Sequence, residues 1–321
     1  MKARGADAEM SNGRSRALRV AVAQVESKNG MVEVNLKHAT PFVEQAAREG
    51  AKLILLPEFM PAGYVFTPAI WDGAEPSDGM SVQWLKENSK RFGVWLGTSF
   101  LEADGEDFFN TFVLATPDGT EAGRVRKQTP AGFEAYFTKG GRGTHVLETE
   151  LGRIGVGICY ENQLSYIPRI MYEQSADLLL MPHSYPGIGQ MFFRLGGLAQ
   201  QYARMLGIPS IVSNKCGPWQ SPYPGIPFYR GDSPFPGLST IADSDGSIKA
   251  QLGSEERVIV AHVVLEQGQK TREAPQCCGR WAGRGPWFRN SCLVIEAMGR
   301  LWYRLSSERK RRARLVSSLA K

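Results

Sequence analysis

Three places in this 321-residue chain put reactive groups at the end of a strand. In LILLPEFMPAGY, Glu58 follows Leu53 to Leu56 and Pro57, so a strand ending there leaves its carboxylate partly out of water. Desolvation disfavours the charged form and lifts such a carboxyl toward the range of a general base. In RIGVGICYEN, Gly155 and Gly157 allow close backbone approach and Cys159 arrives where the strand turns, the setting of an activated thiol. Between them, RVRKQTPAGFEAYFTKG supplies a cation, Lys127, and a second carboxylate, Glu134, seven positions later. Taken singly, each has a plainer reading: a surface carboxylate after a strand, a solvated lysine, an inert thiol in an apolar core. Histidine does not complete a Cys-His pair. His38 falls on a helix, His145 and His262 fall in strands, and only His183, after DLLLMP, can reach a cleft. If Cys159 reacts, a carboxylate must act as its base.

The elements that must position these groups alternate between short buried strands and amphipathic helices. LRVAVAQV and KLILLP read as strands around a helix with Leu36, Ala39, Val43 and Ala46 at helical spacing and Pro41 inside it. SVQWLKENSKRF is a second helix closed by Gly93, and VWLGTSF and NTFVLAT are strands. The second half repeats the plan with RIGVGIC, IPRIMYEQS, DLLLMP, FRLGGLAQQYARML and IPSIVSN, followed by the strands STIAD and VIVAHVVL. AKLILLP and ADLLLMP echo one another, so two similar halves are expected to face each other. This alternation predicts α/β layers with the helices outside. The Pro-, Gly- and aromatic-rich stretch from Cys216 to Gly237 is a candidate pocket wall.

Composition narrows the class of protein. Hydrophobic residues make up 42% and charged residues 22%, as expected of a folded globular chain. No apolar run approaches the roughly 18 to 20 residues of a spanning helix. Residues 1–17 are polar, without the apolar core of a secretory signal, and are expected to form a disordered arm, with cytoplasmic residence as the default. Five cysteines with no CxxC pair indicate neither a disulfide framework nor a zinc site. Of the net charge of +6, residues 270–321 carry +10 (13 Lys or Arg against three acids), leaving −4 for the rest. A mildly acidic body opposes a phosphate backbone, so nucleic acid is not the expected partner.

Taken in order, the three segments resemble the carbon-nitrogen hydrolase (nitrilase) superfamily, from about Leu18 to Leu265. The likeness includes Gly63-Tyr64, Asn110-Thr111, Pro117-Asp118-Gly119, Arg126-Lys127, Tyr136-Phe137 before Gly140, Asn214, and the segment from Gly237 to Gly246 with Ser239. It implies a four-layer αββα sandwich over residues 18–268, assembled as a homodimer or larger homo-oligomer; the basic and partly helical extension at 269–321 departs from the usual family length. It also implies Glu58 as general base, Lys127 as the cation stabilising the tetrahedral intermediate, Cys159 as nucleophile, and Glu134 as a second glutamate orienting lysine and substrate. No metal or organic cofactor is called for. The substrate is expected to be a small-molecule amide or nitrile. Tyr160 after the cysteine, where nitrilases of this superfamily usually carry Trp, favours an amide. The runner-up readings are a nitrilase, or an acyl-transferring or non-catalytic member whose tail binds a membrane surface.

Tyr64, Phe133, Tyr160, His183 and Tyr185 are the candidate substrate-binding residues. Trp219, Tyr223 and Phe228 come from the loop-rich stretch, and the whole set suits an apolar or aromatic acyl group. In the tail, Val294, Met298, Leu301 and Leu305 fall at helical spacing with Trp302 beside them and RKRRAR beyond. Two readings follow: a helix packed on a sister subunit with a solvated basic end, or peripheral contact with an anionic membrane, such as the inner face of the cell membrane.

Overall fold

A computed structural model describes residues 15–188, 194–282 and 286–319. The expected arm, residues 1–17, falls outside it except for its last three positions, of which Arg16 and Ala17 already belong to the first strand.

One sheet is built from β1 (Arg16–Gln24), β2 (Leu53–Leu55), β3 (Ala74–Glu75), β4 (Trp95–Asp104), β5 (Asp107–Ala115), β6 (Glu121–Arg126) and, from the far end of the chain, β17 (Arg257–Leu265). The other is built from β7 (Val146–Thr149), β8 (Gly152–Val156), β9 (Leu178–His183), β10 (Ser210–Asn214), β15 (Thr240–Ala242) and β16 (Ile248–Gln251). Their orders are β17-β1-β2-β4-β5-β6, with β3 beside β4, and β16-β15-β10-β9-β8-β7. Each centre is parallel (β1, β2, β4; β8, β9, β10) and each edge antiparallel. Two small ribbons complete the strands, β11 (Cys216–Gly217) with β14 (Phe235–Pro236), and the hairpin β12 (Gln220–Tyr223) with β13 (Ile226–Asp232).

The period-two alternation of strand side chains explains the layering. Val20, Val22, Leu53 and Leu55 of one sheet meet Ile154, Val156, Leu178 and Leu180 of the other in a common core. Ala21, Ala23 and Ile54 turn the other way, onto α1 (Val32–Arg48) and α2 (Met80–Phe92). Leu179, Met181 and Val212 turn onto α3 (Tyr166–Glu173) and α4 (Leu198–Leu206). Helices therefore cover the outer face of both sheets, giving the expected αββα sandwich. Pro41 lies within α1, and Gly93 closes α2 with a left-handed φ of 63°.

The C-terminal extension forms α5 (Pro286–Leu305) and α6 (Ser307–Ser317). Its basic end differs from the solvated run expected from sequence. Arg309 is buried, stacks on Tyr303 and pairs with Asp107 at 2.6 Å, while Arg312 pairs with Asp72 at 2.8 Å and Arg314 with Glu106. The acids around the β4–β5 turn and the neighbouring loop pair three of the five cations of the run and dock it on the body. Among the described residues no helix is long and apolar enough to cross a membrane.

Candidate active site

The echo between AKLILLP and ADLLLMP has a structural meaning: β2 and β9 end side by side, one in each sheet. Past its proline, the first delivers Glu58; past its own, the second delivers His183 and Ser184. The Glu58 N–H donates to the His183 carbonyl at 3.3 Å. In return Ser184 donates its N–H to Glu58 Oε2 at 2.8 Å and its hydroxyl to the Glu58 carbonyl at 2.6 Å.

Glu58 is fully buried, and so are Lys127 and Glu134. Lys127 follows directly on β6, and its Nζ donates to Glu58 Oε1 at 2.8 Å and to Glu134 Oε2 at 2.6 Å. Asn110 Nδ2, from β5, donates to both carboxylates, at 2.7 Å to Glu58 and 3.1 Å to Glu134. Glu134 sits on the 3-10 turn Gly132–Tyr136 and accepts a further bond from the Ala131 N–H at 3.0 Å. Burial works against the Lys127 charge, but Glu134 and Glu58 outweigh it and hold its proton well above the usual lysine range. Glu134 is raised, chiefly by burial, with Lys127 opposing.

Cys159 stands three residues beyond β8 with φ at 51°, a left-handed conformation that a non-glycine residue adopts only when its surroundings enforce it. The enforcing contacts are visible. A Cβ on Gly157 would lie 2.0 Å from Asn162 Oδ1, and Asn162 Nδ2 donates to the Gly157 carbonyl at 2.7 Å. Glu161 Oε2 accepts from the Ile158 N–H at 3.2 Å, while its Oε1 accepts from the Gln128 N–H at 2.7 Å. One buried carboxylate thus ties the cysteine turn to the residue after Lys127. The thiol is pushed well up by burial and by the Glu58 charge, with Lys127 and the Ser184 N–H opposing, so Cys159 rests as the neutral thiol.

A cavity of about 340 Å³ opens over Cys159. Tyr64, Phe133, Tyr160 and Tyr185 line it as expected, together with Tyr223. Three other candidates do not. His183 is fully buried beneath the site, where Asn162 Nδ2 donates to its Nε2 at 3.1 Å, and burial with the Lys127 charge pushes it down to about 3. It is a neutral packing imidazole. Trp219 lies behind Tyr64 and donates its Nε1 to the Tyr64 carbonyl at 2.8 Å, and Phe228 is fully exposed on β13. Among the described residues no group of three His, Cys, Asp or Glu is placed to hold a metal ion.

The extension completes the cavity. Ser291, Cys292 and Ile295 of α5 form one side. The Tyr160 hydroxyl donates to the buried Glu296 at 2.8 Å and accepts from Arg280, which pairs with Glu296 at 2.7 Å. Gly299 lets α5 close on the turn that carries Glu134: a Cβ there would lie 2.9 Å from the Ala135 carbonyl carbon. Sequence reasoning assigned no role to Asn110, Glu161, Ser184 or Asn162, although all but Ser184 stand in motifs it used. Nor did it find Lys215, fully buried and donating to the Phe59 carbonyl at 2.9 Å, where Phe59 itself bends to φ 47° beside Glu58.

The carbon-nitrogen hydrolase family profile matches residues 19–273, and the chain belongs to that family. Among curated relatives, omega-amidase NIT2 of Danio rerio is 31% identical over 47% of this chain and 58% of its own, so the match spans under three fifths of that relative. The N-carbamoylputrescine amidase of Solanum lycopersicum is 29% identical over 75% of this chain and 84% of its own. The crystal structure of a carbon-nitrogen hydrolase from Helicobacter pylori superposes with a TM-score of 0.66 at 22% identity, covering 77% of this chain and 89% of that one.

Proposed function

We propose that the protein is a cysteine amidohydrolase that converts a non-peptide amide to a carboxylic acid and ammonia or an amine. The observation that carries this reading is the fully buried Lys127 held between Glu58 and Glu134 in one electrostatic cluster with Cys159. A scaffold has no use for a buried cation, two carboxylates and a thiol at strand ends. Because the thiol rests neutral, attack needs a base, and Glu58 is the carboxylate whose charge couples most strongly to it.

In the proposed cycle Glu58 takes the thiol proton as Sγ adds to the amide carbonyl carbon. The oxygen's negative charge is met by Lys127 and by the N–H of Tyr160. Collapse breaks the C–N bond, the Glu58 proton leaves on the amine nitrogen, and a Cys159 thioester remains. Glu58 then accepts a proton from water as that water attacks the thioester. Breakdown releases the acid and returns the proton to sulfur. Glu134 keeps Lys127 charged and aimed. The relatives are named amidases, and Tyr160 in place of Trp points the same way.

The test is ammonia release and acid formation from a mixed panel of amides and nitriles, with Cys159→Ala alongside. Amide hydrolysis that disappears in the variant, with unchanged circular dichroism, is expected. Acid formed from nitriles alone makes the protein a nitrilase instead, and activity surviving in Cys159→Ala removes the thiol from the mechanism.

A further inference from the structure

The apolar space over Cys159 does not end with the catalytic cavity. Along α5, Ser291, Cys292 and Ile295 wall that cavity, and at the following turns Met298, Leu301, Trp302 and Leu305 wall a second one of about 680 Å³. Its other side is built by Pro68, Tyr136, Phe137 and the hairpin turn at Pro222–Gly225. Phe66 and Tyr223 border both cavities. With Phe133 they form a three-ring cluster with centroids 4.7 to 5.7 Å apart. Among the described residues no charged side chain lines either space. The groove is not filled by the chain itself: Met298 is 56% exposed, Leu301 58% and Leu305 75%. Contiguous exposed apolar surface of this kind marks a binding site.

We propose that this groove is the acyl-tail subsite of the reaction, and that the substrates are amides of extended, uncharged, apolar acids. The carbonyl carbon sits at Cys159, and the chain passes the Phe66 and Tyr223 rings and lies along α5. The inference rests on the amidase reading of the Cys159 site. A lipid surface or a second copy would account for an apolar helix face. Neither accounts for one helix walling both the nucleophile's cavity and the groove, with two shared aromatic side chains between them. From Ile295 to Leu305 the helix advances about 15 Å, at ~1.5 Å per residue. An extended alkyl chain advances roughly 1.3 Å per carbon with bonds of about 1.5 Å, so on the order of a dozen carbons fit.

The experiment measures kcat/KM for straight-chain primary amides from acetamide to tetradecanamide, in the whole chain and in Met298→Glu and Leu301→Glu. In the wild type the value is expected to climb by up to about fourfold per methylene and to level off near the groove's length. In the groove variants the decanamide-to-butyramide ratio is expected to fall by about tenfold or more. Titration calorimetry of decanamide into Cys159→Ala reads the groove without turnover. Binding lost on adding Met298→Glu supports the subsite, and absence of binding in Cys159→Ala overturns it. An enzyme that hydrolyses butyramide with no gain from chain length leaves the amidase reading intact and refutes the groove. So does an unchanged ratio in variants that halve the sedimenting mass or abolish binding to anionic liposomes, because the face then belongs to a second copy or a membrane. If no amide of any length is turned over, the amidase reading itself fails, and the calorimetric arm still decides the groove.

Discussion

Lys127→Met separates the two things the buried ammonium does. At the observed 2.8 and 2.6 Å, each lysine–carboxylate contact is worth about 6 kcal/mol at an effective dielectric of ~20, before desolvation is charged against it. Desolvation of three charged groups consumes most of that, so the intact cluster adds little net stability. Removing the lysine alone is different, because Glu58 and Glu134 are then left buried with no cation between them. A broken buried pair typically costs ~3–5 kcal/mol, a large part of the roughly 5–15 that holds a domain folded. Urea unfolding followed by circular dichroism at pH 7 should therefore show Lys127→Met destabilised by about that amount. Adding Glu134→Gln removes one of the two stranded charges and should return at least half of the loss. Activity should behave otherwise. Both variants should remain at least two decades below wild type, the scale of a lost oxyanion-stabilising group. A single variant as stable as wild type, or a double variant that regains turnover, would refute the assignment of Lys127 as the charge on which both the fold and the oxyanion depend.

The imidazole of His183 is held down to about 3 against an ordinary 6.5, so between these values the unfolded chain binds the proton and the folded chain does not. Stability must fall as pH drops through that window, by up to about 1.4 kcal/mol per unit. Unfolding free energies of wild type and His183→Gln at pH 7 and pH 5 check this, and equal slopes would show that His183 does not titrate on unfolding. Glu296→Ala strips the charged acceptor from Tyr160 and Arg280, a loss of about 1.5–3 kcal/mol for bonds to a charged group. The amides of α5 should exchange hydrogen faster while the strand amides of both sheets keep their protection. Unchanged exchange in α5 would mean that this network does not dock the extension.

The sandwich was legible in the sequence because its strands are short, apolar and punctuated by Pro or Gly, while its helices carry one apolar face each. The positions of Glu58 and Cys159 were legible for a related reason: each follows a buried strand, where a reactive side chain stands out against its neighbours, whereas Lys127 follows the half-buried β6 and stood out only through the order of the three segments. What could not be read was the set of groups that hold them. Asn110 bridges two carboxylates across 52 and 24 residues of chain, and Glu161 reaches back 33 residues to Gln128. Such pairings depend on which strand ends meet, and local patterning carries no trace of them. His183 was misplaced because a histidine after a strand can face either the cleft or the core beneath it, and only the Asn162 contact decides. The basic tail misled for the opposite reason. Its charge is visible locally, whereas the acids that dock it, Asp72, Glu106 and Asp107, lie about 200 residues and more earlier in the chain.

The charge count of the site explains why a resting neutral thiol suits the proposed chemistry. Lys127 brings one positive charge to two buried carboxyl groups, so the cluster has no spare positive charge in a dry environment. Ionising Cys159 in advance would add an uncompensated negative charge, which burial and Glu58 both oppose. In the proposed cycle the proton goes to Glu58 as the thiol adds to a carbonyl, and the negative charge appears on the substrate oxygen. The cluster's total charge is unchanged, and the new charge is free to sit against Lys127, which Glu58 no longer claims. The barrier is thereby lowered for an electrophile whose oxygen reaches the lysine and the Tyr160 N–H, and not for a reagent that merely meets the sulfur. On the same proposal Glu134 is the second counter-charge: paired with Lys127 at 2.6 Å, it would keep the ammonium charged through the step in which Glu58 takes the proton.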